Sequence, residues 1–270
     1  MTQKPTDALR NGKDTSMFSC IDSVQSKQAD AAVSCGNTGA LMLMSLVKLR
    51  KIPGVNRPAI AIMWPSRNHS GFNIVLDAGA DVKADPEDLL KYAVMGSTYA
   101  QNGFNLTTPR VGLLNVGTED IKGSQDLFEA NERIKQASKK NNYEYMGFVE
   151  GTDIPSDKVD VIVTDGFTGN IALKTGEGTA KLIGDFMNES FKKNMLSKIS
   201  SILAIKPLKR LKEKIDPRRV NGGVLIGLNG LVVKSHGNAD HVGFEAAVKL
   251  AIKLTTNNFS ETLSFNLKNT

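Results

Sequence analysis

Glycine stands beside Asn, Thr or Asp directly after a short apolar run at four places in this chain. Ala31-Ala32-Val33-Ser34-Cys35 leads into Gly36-Asn37-Thr38-Gly39, and Val161-Ile162-Val163-Thr164 into Asp165-Gly166-Phe167-Thr168-Gly169-Asn170. Leu113-Leu114-Asn115-Val116 leads into Gly117-Thr118-Glu119-Asp120-Ile121-Lys122-Gly123, and Leu76 into Asp77-Ala78-Gly79-Ala80-Asp81. A loop of this kind at a helix N-terminus aims backbone N–H groups outward, where the helix dipole favours an anion. One such loop is ordinary turn chemistry; four together point to a phosphate-sized anion. Gly36, Asn37, Thr38, Gly39, Asp165, Gly166, Thr168 and Gly169 are the candidate phosphate contacts. Lys122, next to glycine in a strand-end loop, is the candidate cation, and Asn170 the candidate amide donor. Asp77, Asn115, Glu119 and His236 are candidates for the rim.

Other chemistries lack their residues. Neither G-x-G-x-x-G nor G-x-x-x-x-G-K-[ST] occurs, which disfavours a dinucleotide or ATP. His69, His236 and His241 are scattered without metal-ligand spacing, and the G-x-S-x-G elbow of serine hydrolases is absent. Cys35 reads as a small strand-end side chain rather than a nucleophile. The expectation is a site without metal or cofactor.

Length and composition set the scale. The chain has 270 residues, 40% of them hydrophobic and 23% charged, the balance of an ordinary globular protein. No stretch approaches the roughly 18 apolar residues that span a membrane, and the opening Met1–Asp7 has no signal-peptide core. Two cysteines, Cys20 and Cys35, fit a reducing cytoplasm. The net charge of +6 is unevenly spread. Ser190–Val220 holds ten Lys/Arg against Glu213 and Asp216, a local +8 that leaves the remainder at −2.

Alternating elements must position the loops. Ser16 is expected to cap a helix running towards Lys27, followed by a strand at Asp30–Cys35 and a helix at Thr38–Arg50. Ala59–Trp64 and Phe72–Asp77 read as a hairpin. Asp85-Pro86-Glu87 opens a helix to about Asn102, an acidic cap followed by proline at the first helical position. Arg110–Val116, Tyr145–Val149 and Val159–Thr164 read as strands, Ser124–Lys139 and Gly169–Glu189 as helices. A basic helical pair interrupted by Pro207 follows, then a hairpin of Val224–Gly227 with Leu231–Ser235, and a closing helix at Asp240–Asn257. This order predicts an α/β, Rossmann-like three-layer sandwich with a mainly parallel sheet and a protruding helical pair. Ligands of such folds sit at strand carboxyl ends, so all the Gly-rich loops are expected on one rim. The whole of 1–270 reads as a single domain, with 190–220 as a basic amphipathic helical insertion.

The loops also carry a resemblance. Ser34–Met42, Gly112–Asp120, Thr164–Asn170, Leu76–Ala80, Tyr92–Ser97 and Asn221-Gly222-Gly223 are similar to motifs of the PlsX-type phosphate acyltransferases, in order from about Pro5 to about Leu254. The resemblance implies a fold akin to isocitrate dehydrogenases and phosphotransacetylases, and a homodimer. It also implies a reaction in which acyl-[acyl-carrier protein] and inorganic phosphate give acyl phosphate, consumed by a membrane glycerol-3-phosphate acyltransferase in phospholipid synthesis. It carries function to Lys122 and Asn170, and phosphate binding to Asn37 and Thr38. Family members usually have alanine at the position of Cys35. They begin with a strand and an Asp-Ala-Met-Gly-Gly-Asp loop before the first residue here, so an N-terminally shortened chain is expected.

Two rival readings share these residues. A phosphotransacetylase acting on acyl-CoA would use the same loops. A basic adaptor for membrane or nucleic acid would explain Ser190–Val220 but not the strand-end glycines, and Phe191 alone is poor provision for base stacking. Nucleic acid is therefore not an expected partner. Phe191, Met195, Leu196, Ile199, Ile202, Leu203 and Ile205 form an apolar stripe among the lysines, suited to a dimer, a carrier protein or a membrane surface. The expected location is the cytoplasm, with peripheral contact on the inner face of the membrane.

Overall fold

The computed structural model describes residues 12, 14–119, 121–192, 204–215 and 222–270. In chain order the elements are α1 (Ser16–Gln25), β1 (Ala31–Ser34), α2 (Thr38–Leu49), β2 (Ala59–Pro65), β3 (Phe72–Leu76), α3 (Pro86–Phe104), β4 (Arg110–Leu114), α4 (Gln125–Ala137), β5 (Glu144–Val149), β6 (Val161–Val163), α5 (Gly166–Lys192), α6 (Ile205–Ile215), β7 (Gly223–Ile226), β8 (Leu231–Lys234), α7 (His241–Thr256) and α8 (Phe259–Lys268).

Short polar side chains start the helices. Asn37, Asp85, Ser124 and Asp240 accept from N–H groups three residues on, opening α2, α3, α4 and α7. Pro86 takes the first helical position of α3, where its missing N–H costs nothing. Three expectations shift. Thr15, not Ser16, caps α1. The long helix begins at Gly166 rather than Gly169, because the Asp165 carboxylate accepts from Thr168 N at 2.7 Å and closes the first turn early. Pro207 does not interrupt a helix: it sits in the first turn of α6, where proline is tolerated. The rest of the basic segment, 193–203 and 216–221, lies outside the described residues.

The strands form one sheet of order β1-β8-β7-β2-β3-β6-β4-β5. The expected mainly parallel sheet is present at both flanks, where β1 pairs with β8, and β3, β6, β4 and β5 pair in succession. Between them β8–β7, β7–β2 and β2–β3 are antiparallel. Following these pairings, β1, β8 and β2 run one way, and β7, β3, β6, β4 and β5 the other.

Side chains alternate to opposite faces along each strand, and helices cover both. On one face Val161, Val163, Leu113 and Val233 pack against α3, α4, α7 and α8, with Tyr99 fully buried edge-on to Phe104 and Phe259. On the other, Ala32 and Val232 pack under α1 and α2 together with Leu173 of α5. Farther along the same face, Val75 and Ile162 meet Trp64 and Ala172. Each large buried aliphatic side chain contributes about 1.5–3 kcal/mol, so both helix layers are held by substantial apolar contact.

Candidate functional site

Sheet order sets three predicted loops side by side. β6 lies between β3 and β4, in register Leu76↔Val163 and Leu113↔Val163. The loops leaving β3, β6 and β4 at their carboxyl ends are therefore neighbours on one edge.

The β3 loop is closed upon itself. Asp77 is fully buried, and its carboxylate accepts from Ile60 N at 2.8 Å, Gly79 N at 3.0 Å and Asp81 N at 2.6 Å, with Ala80 N shared between both oxygens. Burial pushes this carboxyl up from its ordinary value, and the four backbone donors pull against that rise. The N–H groups of this loop hold a carboxylate of the chain itself. Asp77 is thus the anchor of the loop.

Close backbone contact locks the β6 loop to the β3 loop. Gly166 N donates to the Asp81 carbonyl at 2.7 Å. A Cβ on Gly166 would lie 2.5 Å from Asp77 Oδ2, and one on Gly169 would collide with the Asp77 carbonyl oxygen. Both positions therefore need glycine. Asp165 accepts from the Thr168 hydroxyl at 3.1 Å as well as from its N–H, so Asp165 and Thr168 serve as cap and partner. Asn170, exposed on the first turns of α5, donates from Nδ2 to the Ala78 carbonyl at 3.4 Å. Gly79, at φ +127°, makes room for that amide: its Cβ would stand 2.5 Å from Asn170 Nδ2.

After β4, Asn115 folds the next loop. Its Oδ1 accepts from Val116 N at 2.8 Å, and its Nδ2 donates to the Lys122 carbonyl at 2.7 Å. This returns Lys122 to the strand end, where its ammonium pairs with Glu119 at 2.7 Å over Gly117. Hydrogen bonding to Glu119 holds the Lys122 pKa above its ordinary value, and the same bond holds the Glu119 carboxyl below its own. Both side chains are about half exposed, so the ammonium can reach an incoming anion. This edge presents Lys122 and Asn170 from neighbouring loops, fixed by Asn115 and by the Asp77 anchor.

The single rim expected for all four loops does not form. β1 and β8 run opposite to β3, β6 and β4, so Gly36–Gly39 and His236 open from the other edge of the sheet. Asn37 Oδ1 accepts from Ala40 N at 3.0 Å, while Thr38 and Gly39 are exposed in the first turn of α2. His236 is exposed beyond β8, its Nδ1 accepting from Asn238 N at 3.3 Å. Cys35 is half-buried between β1 and α2.

Helix α5 connects the edges. It starts beside Asp77 and runs back along the sheet, bringing Gly176 against Trp64 of β2. Asn170 and Lys174 lie four residues apart on one helix face. Lys174 acts electrostatically on Lys234, the last residue of β8. Lys174 and Lys234 escaped the sequence reading. The available signal was the period of two in Val232-Val233-Lys234, which puts Lys234 on the same face as the core residue Val232.

Among the described residues, no group of three His, Cys, Asp or Glu side chains is placed to hold a metal.

This architecture is that of the phosphotransacetylases. The chain superposes on the EutD phosphotransacetylase from Staphylococcus aureus with a TM-score of 0.55 and 16% identity, over 91% of this chain and 67% of that one. A phosphotransacetylase from Streptococcus pyogenes gives 0.57 and 17%, over 92% and 70%. At such identities the likeness is one of fold. Sequence comparison goes further. Residues 1–262 match the family model described as fatty acid synthesis protein. The phosphate acyltransferase of Paracoccus denitrificans is 60% identical over 98% of this chain and 71% of its own length. That of Dinoroseobacter shibae is 61% identical over 98% and 69%. The chain belongs to the PlsX-type phosphate acyltransferase family.

Proposed function

We propose that the chain transfers a fatty acyl group from acyl-[acyl-carrier protein] to inorganic phosphate, giving acyl phosphate for phospholipid synthesis. The observation that carries this reading is that the loops bearing Lys122 and Asn170 leave the carboxyl ends of adjacent strands, β4 and β6, in a chain of this family. Hydrogen phosphate is already a nucleophile and a thiolate a good leaving group, so positioning and charge stabilisation suffice. A phosphate oxygen attacks the thioester carbonyl carbon, and a tetrahedral oxyanion forms. The C–S bond then breaks, and the proton that hydrogen phosphate brought leaves on the thiol. Lys122 offsets charge on phosphate or oxyanion, exchanging Glu119 for it, and the Asn170 amide donates to the same group. The Gly36–Gly39 turn opens from the opposite edge, and its N–H donors join the site only across α5.

The proposal extends to partners. Ile183, Leu182 and Phe186 are exposed on the outer half of α5, which leads into the basic segment. Apolar surface followed by clustered lysine suits a homodimer, with peripheral contact to an anionic membrane and delivery to a membrane glycerol-3-phosphate acyltransferase. Among the described residues no helix is long and apolar enough to cross a membrane.

The test is phosphate-dependent release of free thiol from acyl-carrier protein and from acyl-CoA, followed with a thiol reagent. Release from the carrier-protein thioester, at least tenfold faster than from CoA, is expected. Preference for CoA overturns the carrier assignment, and release from neither overturns the function.

A further inference from the structure

Lys234 is oddly placed for a lysine. In β8, Leu231 and Val233 face the larger core, whereas Val232 packs with Leu41, Met44 and Leu173 beneath α2 and α5. Two residues on, Lys234 projects to that same inner face. It ends the strand in register with Ser34 of β1, and Ser235 N donates to the Ser34 carbonyl at 2.9 Å. The first turn of α2 thus begins one strand away, at Gly36–Gly39. The Lys234 ammonium donates to the Ser235 carbonyl oxygen, and among the described residues no carboxylate stands within ion-pair distance of it.

Helix α5 crosses this same face, since Leu173 packs in one cluster with Val232, and the next residue, Lys174, acts electrostatically on Lys234 while its own ammonium is tied to Glu177 at 2.8 Å. Burial lowers the Lys234 pKa, Lys174 lowers it again, and Cys35 opposes both. Like charges that repel across a half-buried position are relieved by an anion between them.

We propose that Lys234 and Lys174 form a second phosphoryl-binding position beside α5, one helical turn from Asn170. The proposal rests on the acyl-transfer reading above and deepens it. In that reaction a phosphoryl anion comes from two sources: inorganic phosphate, or the phosphodiester of the arm that carries the thioester.

The test is steady-state kinetics of Lys234→Gln and Lys174→Gln, varying phosphate and three acyl donors: the carrier protein, CoA and pantetheine, the last lacking a phosphate. Loss of one charge-assisted contact raises the relevant KM about tenfold or more, with kcat falling less than threefold, and Lys234→Arg recovers part of the loss. A raised KM for phosphate with every donor assigns the position to inorganic phosphate. A raised KM for carrier protein and CoA but not for pantetheine assigns it to the arm. Unchanged KM values, or an equal loss of kcat with every donor, overturn the proposal. Lys174 is exposed on α5, so its variant keeps the test valid should Lys234→Gln unfold. If the wild-type chain is inactive with all donors, the acyl-transfer reading fails. The position is then read by calorimetric titration with inorganic phosphate, where either substitution weakens binding about tenfold and equal binding refutes it.

Discussion

Asp77→Asn is the sharpest test of how the site is supported. The Asp77 carboxylate takes five contacts from four backbone N–H groups, and the shortest, 2.6 Å from Asp81 N, falls on Oδ2. An amide can keep only one acceptor. If its oxygen stays at the Oδ1 position, the bonds from Ile60 and Gly79 survive, while an NH2 group confronts the N–H of Asp81. One charge-assisted bond is lost, about 1.5–3 kcal/mol, and a buried donor is orphaned at about 1–3 kcal/mol more. Against this, the carboxylate bears a burial penalty that pushes its carboxyl up, and asparagine escapes that penalty. The net expectation is a loss of about 2–3 kcal/mol, equivalent to roughly 4–12 °C in Tm for a domain of this size. Catalysis should suffer too, because the Asp77–Asp81 loop seats Gly166, Gly169 and the Asn170 amide. Thermal unfolding followed by circular dichroism, paired with thiol-release kinetics, measures both. A Tm within 1 °C of wild type, or any stabilisation, would refute the anchoring role.

Gly169→Ala drives a methyl group into the Asp77 carbonyl, and the backbone shift should cost about 1–3 kcal/mol or more in thermal unfolding; unchanged stability contradicts the close approach. Lys122→Ala should lower turnover at least tenfold without altering the unfolding transition, whereas unchanged kinetics would remove Lys122 from the reaction. Glu119→Gln frees Lys122 from its partner and should lower the KM for phosphate; a raised KM would make Glu119 a positioning residue instead. Asp160 provides the pH test. Burial works to raise its pKa, but hydrogen bonds and charge from Arg110 lower it below the ordinary 3.8. The pair's contribution is thus fully present above that value and lost as pH falls through the lower folded value. Asp160→Asn should cost about 2–4 kcal/mol at pH 7 and flatten the acid limb of stability against pH, and an unaltered acid limb refutes the linkage.

Much of the fold was legible because its signals are local. Runs such as Val161-Ile162-Val163 and the Asp85-Pro86 cap need no distant partner to be read. Helix α8 was missed although Phe259, Leu263 and Leu267 fall at helical spacing and are all buried. Its predecessor α7 ends at Asn257-Asn258, whose turn chemistry resembles a chain end more than a joint. The Gly166 and Gly169 loop was found, but its close packing on Asp77 was not legible. Glycine needed for close approach to Asp77 looks, in sequence alone, the same as glycine that bares N–H groups for a phosphate. Lys234 was invisible for a related reason: a terminal strand lysine is usually solvated, and its inward position depends on α2 and α5 closing over that face.

The strand reversal was implicit in the two hairpins, and its consequence reaches the chemistry. The hairpin β2–β3 turns the chain over, every crossover from β3 to β7 keeps the new direction, and β7–β8 turns it back. Loops before the first reversal and after the second must then open opposite to those between. A phosphate held by Lys122 and Asn170 cannot rest on the same edge as the Gly36–Gly39 turn. The two halves can cooperate only across an element that passes by both, and α5 is so placed, with Asn170 bonded to Ala78 and Lys174, one turn later, acting electrostatically on Lys234. A substrate with two charged ends, or two substrates meeting at one carbonyl, fits such an arrangement better than a lone ion does. Acyl transfer from a phosphate-bearing thioester to free phosphate meets that description, and the donor series with and without the arm's phosphate is the measurement that separates its two ends.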